Sequence, residues 1–169
     1  TTGATADQME RVSASAKQLG ADITLPAVSA GDAATTMVEL AKAGLSVEQS
    51  IAGAKGVLQL AAAAQIDFAQ ASLLAASALN AFGLSGDQAS HVADVFAGAA
   101  NAAQGSIEDF ALANQQVDAV ARQVGISLED TTALLAELAK NGLKGSDAGT
   151  SLRTALIRLI APTQEARQL

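Results

Sequence analysis

Four times in this 169-residue chain, a helical pattern stops at a glycine that is followed by Leu or Ile. The sites are Ala43-Gly44-Leu45-Ser46, Phe82-Gly83-Leu84-Ser85, Val124-Gly125-Ile126-Ser127 and the variant Asn141-Gly142-Leu143-Lys144. Glycine tolerates the left-handed backbone that ends a helix, and the apolar residue after it is placed to fold back on the last turn. Ser is then a good first cap for the next helix. Gln49 and Gln88, three residues after Ser46 and Ser85, complete a capping-box pattern, and Asp130 after Ser127 is a near match. Each mark therefore specifies helix, sharp turn, helix, and that rules out most folds other than an all-α one.

Between the marks the apolar residues keep helical spacing, as in Met9, Val12, Ala16 and Leu19, or Leu152, Leu156, Leu159 and Ile160. The pattern predicts helices over 4–19, 30–43, 47–63, 68–82, 87–103, 107–124, 128–141 and 147–160. Residues 20–30, with Asp22, Thr24 and Pro26, read as one extended linker, and Ile23 and Leu25 as a short extended piece within it. Pro162 is expected to stop the last helix, since proline cannot donate into the ladder. The whole reads as a single α-helical domain of about seven or eight helices joined as helical hairpins. The first two intervals between marks approach a helical-solenoid period, but the third is far shorter, which argues against a true solenoid.

Composition limits the chemistry. The chain has no Cys, Trp or Tyr and a single His, so thiol chemistry and His clusters are excluded. Its net charge of -7 and scarcity of aromatics lack the basic face and stacking residues of a general nucleic-acid binder. Acidity also disfavours an anionic membrane surface. The uncharged stretch Phe68–Gly86 approaches membrane-span length but is too polar, with Gln70, Ser72, Ser77 and Asn80. No signal peptide is visible, and the chain opens on Thr1-Thr2-Gly3, which suggests a piece of a longer protein.

Several blocks in order resemble one family. Leu40-Ala-Lys-Ala-Gly-Leu-Ser46 comes first, then Ala78-Leu-Asn-Ala-Phe-Gly-Leu-Ser85, Val92-Ala-Asp-Val-Phe96 and Ala99-Ala-Asn101. Val124-Gly-Ile-Ser-Leu-Glu-Asp-Thr131 follows, and Asn141-Gly-Leu-Lys-Gly-Ser-Asp-Ala-Gly-Thr150 continues into Leu152 and Arg153. Together, over roughly Ala14 to Pro162, they resemble the core domain of phage tail tape measure proteins of the TP901 type, from long-tailed phages and prophages. Leu143 stands where the family usually has Ile. The resemblance implies a structural, non-enzymatic part of a long chain that occupies the tail tube, sets tail length during assembly and leaves as DNA is ejected. It implies a place in the virion tail, and in the host cytoplasm during assembly. Implied partners are tail-tip or baseplate proteins, the tube protein, tail assembly chaperones and copies of itself. No cofactor, metal, specific nucleic acid or membrane contact is implied for this segment.

The candidate positions are structural: Gly44, Gly83, Gly125, Asn141, Gly142, Gly145, Ser146, Gly149 and Thr150, read as turns and close packing. The Gly145–Ser151 run superficially suggests a phosphate cradle, but the P-loop pattern is absent. Ser146 reads instead as a helix N-cap with Asp147 near the positive helix end, and Gly149 as a bare spot for close helix approach. His91 and Asp94 offer too few ligands for a metal. Glu108-Asp109 and Glu129-Asp130 sit where negative charge offsets a helix dipole, which explains them without acid–base catalysis. The regularly spaced Phe68, Phe82, Phe96 and Phe110 read as core anchors, with a self-association surface as the sharper option. Lys140, Lys144, Arg153, Arg158 and Arg167 make the C-terminal part more basic and read as a solvated face. The competing reading is a helical protein–protein interaction module of an unrelated system. A cell-wall hydrolase lacks the carboxylates and aromatic platforms it would need.

Overall fold

The structure is a computed structural model that describes residues 5–25 and 28–161. The expectations for Thr1–Gly3, Ala4, Pro26, Pro162 and Arg167 lie outside those residues. Among the described residues there is no strand. Eight α-helices follow in order: α1 (Ala6–Gly20), α2 (Ala30–Lys42), α3 (Val47–Ala64), α4 (Phe68–Phe82), α5 (Ala89–Ala103), α6 (Ile107–Gln123), α7 (Leu128–Lys140) and α8 (Gly145–Ile160). A short 3-10 turn, Gly86–Gln88, leads into α5, where the sequence pattern predicts one helix from residue 87.

The turns between helices are made as their chemistry requires. At all four glycine marks the glycine has positive φ, from 68° at Gly83 to 101° at Gly44. Behind each glycine the next N–H reaches back to a carbonyl five residues earlier: Leu45 to Leu40, Leu84 to Leu79, Ile126 to Ala121 and Leu143 to Leu138. This is the Schellman arrangement, which satisfies carbonyls the helix end leaves over. Two further ends use it without glycine. Gln65 and Gln104 take φ of 57° and 52°, and Ile66 and Gly105 donate back to Ala61 and Ala100.

N-caps recur as regularly. Thr5, Ser29, Ser46 and Ser106 each form a reciprocal capping box with the residue three on. Ser127 accepts from the Asp130 N–H at 3.1 Å, and Asp67 caps α4. Pure spacing from the glycine marks missed the caps at Thr5, Ser29, Asp67 and Ser106.

The chain divides into two compact units, Thr1–Asp94 and Val95–Leu169, a division the sequence reading did not draw. It falls within α5. In the first unit, α2 packs on α1, α3 and α4. One cluster there joins Ala16, Leu25, Ala33 and Leu58, with Leu19, Val28 and Phe68 packed against it. The segment between α1 and α2 forms hydrogen-bonded turns rather than an extended piece: Leu25 donates to Asp22 and Val28 to Leu25. Leu25 is buried and Ile23 fully out in solvent, so the segment is anchored by one side chain. Asp22 ties it to α3 through Lys55 at 2.8 Å.

In the second unit α6 is the central element, packed on both α7 and α8. Its buried face is unbroken: Phe110, Ala111, Ala113, Asn114, Val117, Asp118 and Ala121. Of the four phenylalanines, Phe96 and Phe110 are buried core anchors, whereas Phe68 and Phe82 are only partly buried.

Candidate functional site

The Asn141–Arg153 run links α7 to α8, and its features separate into a turn and a packing contact. Asn141 caps α7 and its Nδ2 donates to the Glu137 carbonyl at 2.8 Å. Gly142 takes the left-handed turn with φ 91°. Lys144 is extended, caps α8 without a side-chain bond, and its Nζ donates to the Gln104 carbonyl at 3.3 Å. Ser146 is therefore not the N-cap that the sequence suggests. The helix starts one residue before it, because Gly145 with φ 56° already turns the chain into α8.

Within α8 the small residues and the hydroxyls part company. Ala148 and Gly149 are buried, while Ser146, Thr150 and Ser151 are exposed. A Cβ placed on Gly149 would strike the Ala113 carbonyl oxygen and lie 2.9 Å from Gln116 Cβ, and one on Gly145 would sit 3.4 Å from Asp109 Oδ1. The contacts advance together, 145 with 109 and 149 with 113, so α8 runs parallel to α6 at close range. A shallow cleft remains beside the turn, lined by Gly105, Phe110, Ala113, Leu135, Ala139 and Ala148 among others. Its lining is chiefly apolar, with Asp109 and Lys144 at its edge.

The nine sequence candidates do not converge. Gly44 lies beside α4, where Asn80 Nδ2 donates to the Ala43 carbonyl at 3.2 Å. Gly83 ends α4 in the same unit. Gly125 and Gly142 have nothing near the position of a Cβ, so only their backbone angle matters. Asn141, Gly142, Gly145, Ser146, Gly149 and Thr150 form the α7–α8 connection. His91 and Asp94 are both exposed, and no group of three or more His, Cys, Asp or Glu side chains is gathered among the described residues. Asp109 and Asp130 accompany the Ser106 and Ser127 caps.

Sequence reasoning missed three residues. Gly56 carries α3 directly onto the backbone at Ala89 and Ser90, and Gly86 lies on the backbone at Gln49. The signal was a Gly-x-x-Gly spacing at Gly53 and Gly56 inside an otherwise regular helix. Asp118 is the third: 2% exposed, with neither carboxylate oxygen partnered. Burial alone pushes its carboxyl up to about 8. Its position four residues after Asn114, on the inward stripe of α6, was the available sign. By contrast, hydrogen bonds from Lys55 and Thr24 hold the Asp22 carboxyl well below the usual range.

No single helix among the described residues is long and apolar enough to cross a membrane. α3 and α4 pass that test of length and composition only as a pair, bent by 118°.

Residues 13–169 match the family model described as phage-related minor tail protein. The chain is 46% identical over 162 residues to the tape measure protein of Pneumococcus phage Dp-1, covering 96% of this chain and 14% of that relative. It is 34% identical over 159 residues to the probable tape measure protein of Escherichia phage P2, covering 94% of this chain and 19% of the relative. The chain thus spans less than a fifth of the length of either. No solved structure matches it.

Proposed function

The chain belongs to the family of phage-related minor tail proteins, and from that premise we propose that it is the folded core domain of a tape measure chain. In this reading it works as a docking or anchoring body in tail assembly rather than as the ruler. The observation that carries the reading is the near full-length match of a compact, many-turned chain to a small fraction of two tape measure relatives. A ruler needs extension: 169 residues as one helix would span about 250 Å at about 1.5 Å per residue. Here the longest helix, α3, has 18 residues. Residues so folded contribute little length, and a regular array of capped turns is what a body with defined surfaces requires. The partners that fit are tail-tip or baseplate proteins, the tube protein, assembly chaperones and further copies of this chain. The exposed Leu159 and Ile160, which continue the stripe of half-buried Leu152 and buried Leu156 along α8, suit such contacts.

In-frame deletions of one helical hairpin at a time, in the parent phage gene, test this. Electron microscopy of the particles should show tails absent or malformed, with no graded change in length. Intact tails shortened in proportion to the residues removed would refute the anchoring role and restore the ruler.

A further inference from the structure

The interior of the second unit contains a group that the proposed docking role does not use. Asp118 lies on the inward stripe of α6 with both carboxylate oxygens buried and unpartnered. One turn earlier, Asn114 is fully buried but satisfied: its Nδ2 donates to the Phe110 carbonyl at 2.9 Å, and its Oδ1 accepts from Thr132 Oγ1 of α7 at 3.2 Å. Thr131 bonds back to the Ser127 carbonyl at 2.7 Å. So this side of α6 carries a short polar run in which Asn114 and Thr132 are matched across to α7 and Asp118 is not. An isolated buried carboxylate cannot stay charged without a cation or several donors.

Among the described residues none is bonded to it. On α6 itself the ionisable groups are Glu108, Asp109 and Arg122; on α7 they are Glu129, Asp130, Glu137 and Lys140; on α8 they are Asp147, Arg153 and Arg158. Those of α7 and α8, and Arg122, are exposed, and Glu108 and Asp109 are at most half-buried at the helix start. Lys140 is engaged with Glu137 at 2.6 Å, and Lys144 reaches Gln104. The part of α5 in this unit has no ionisable residue.

We propose that Asp118 is a proton latch: α6, α7 and α8 stay packed while its carboxyl is neutral, and the second unit loosens ahead of the first when it ionises. The direction follows from proton counting. The folded carboxyl holds its proton up to about pH 8, and an ordinary Asp releases it near 3.8. Between these values the folded unit binds one proton more than the unfolded chain. Its folding equilibrium constant therefore falls about tenfold for each unit rise in pH, and the drift ends once the folded carboxyl itself ionises. The stabilised side is the acidic one.

The test is hydrogen exchange of the α6–α8 amides in the 169-residue chain from about pH 5 to about pH 9, corrected for intrinsic exchange, with NMR titration of the Asp118 carboxyl carbon. Protection in α6–α8 should fall with pH more steeply than in α1–α4, and the carboxyl should titrate above neutrality. Asp118→Asn, which cannot ionise, should flatten the α6–α8 profile, and Asp118→Leu should do the same. His91→Gln, at the chain's single histidine and in the first unit, should leave that profile unchanged. An Asp118 carboxyl titrating below about pH 5 in the folded chain overturns the latch, as does an Asp118→Asn profile that keeps the wild-type slope. Failure of both neutral variants to fold at acidic pH overturns it equally, because a neutral group would then not be what the site accepts.

Discussion

The two units handle buried polarity in opposite ways. In the first, the buried hydroxyls of Thr36 and Ser72 fold back onto the carbonyls of Asp32 and Phe68 in their own helices, at 2.9 and 2.6 Å. Its ion pairs between distant segments, Asp22 with Lys55 and Arg11 with Glu48, stay partly in solvent, where a charge costs little. In the second, Asn114 and Thr132 bond across two helices inside the core, and Asp118 is buried alone. Local satisfaction leaves a helix free to pack anywhere. A cross-helix polar bond fixes register, and an orphaned carboxylate lowers stability. The lesson is that similar helical sequences, cut by the same turns, yield one unit whose buried Thr36 and Ser72 bond within their own helices and one whose core polarity is tied across helices at Asn114 and Thr132.

Both units nevertheless use the same device for close approach, so the largest predicted effects are shared. Gly149→Val in α8 and Gly56→Val in α3 would each drive a side chain into backbone, at Ala113 and at Ala89–Ser90. Each should cost about 3 kcal/mol or more, measured as lost thermal stability by circular dichroism. Exchange data should place the damage in the mutated unit only. Gly98→Ala is the matched control: nothing lies within 4 Å of its Cβ position, and it should gain up to about 1 kcal/mol from helix propensity. Equal effects at Gly98 and Gly149 would mean that close packing is not what distinguishes them.

Caps should rank next. Ser106→Ala removes a reciprocal capping box and should cost about 1 kcal/mol, whereas Ser146→Ala, exposed inside the first turn of α8, should cost almost nothing. A denaturant titration of the pair would show whether the start of α8 is uncapped as described.

The two left-handed glutamines should run the other way. Gln65→Gly in the first unit and Gln104→Gly in the second should each stabilise by up to about 1 kcal/mol, since glycine takes their positive φ without strain. A loss at Gln104 alone would reveal a side-chain role in the second unit.

The smallest effect should come from the exposed pair. Asp22→Asn, which weakens the bond to Lys55, should lower stability only slightly near neutral pH. Because the native Asp22 carboxyl is depressed below its unfolded value, the stability it contributes is present above the ordinary Asp range and is lost as the solution is acidified. Thermal melts across the acid range should thus show the first unit weakening with falling pH, opposite to the second unit's response through Asp118.

Most of the helix map was legible because its causes are local. Gly44, Gly83, Gly125 and Gly142 stop helices through a backbone preference that any reader of the chain can apply, and Ser46 and Ser127 start them through a side chain three residues from its partner. The pattern placed helix ends beside Gln65 and Gln104 but not their left-handed backbone, since glutamine adopts positive φ only when the turn is already enforced. The α8 start was misread at Ser146 for a related reason: a good capping residue was present, but Gly145 had turned the chain first. The Gly149 contact was legible as bare backbone, but not its target.

By itself, then, the sequence determined the all-α class, the number and order of helices, and most of their ends, all set by interactions spanning a few residues. It also carried the family blocks that made membership readable. Only the tertiary structure decided that the chain forms two compact units, that α8 lies parallel to α6 with Gly149 against Ala113, and that Asp118 lies buried without a partner. Those outcomes depend on which helical faces meet. Many pairings of Ala- and Leu-rich stripes bury similar apolar area, and shape and polar matching between distant residues select among them.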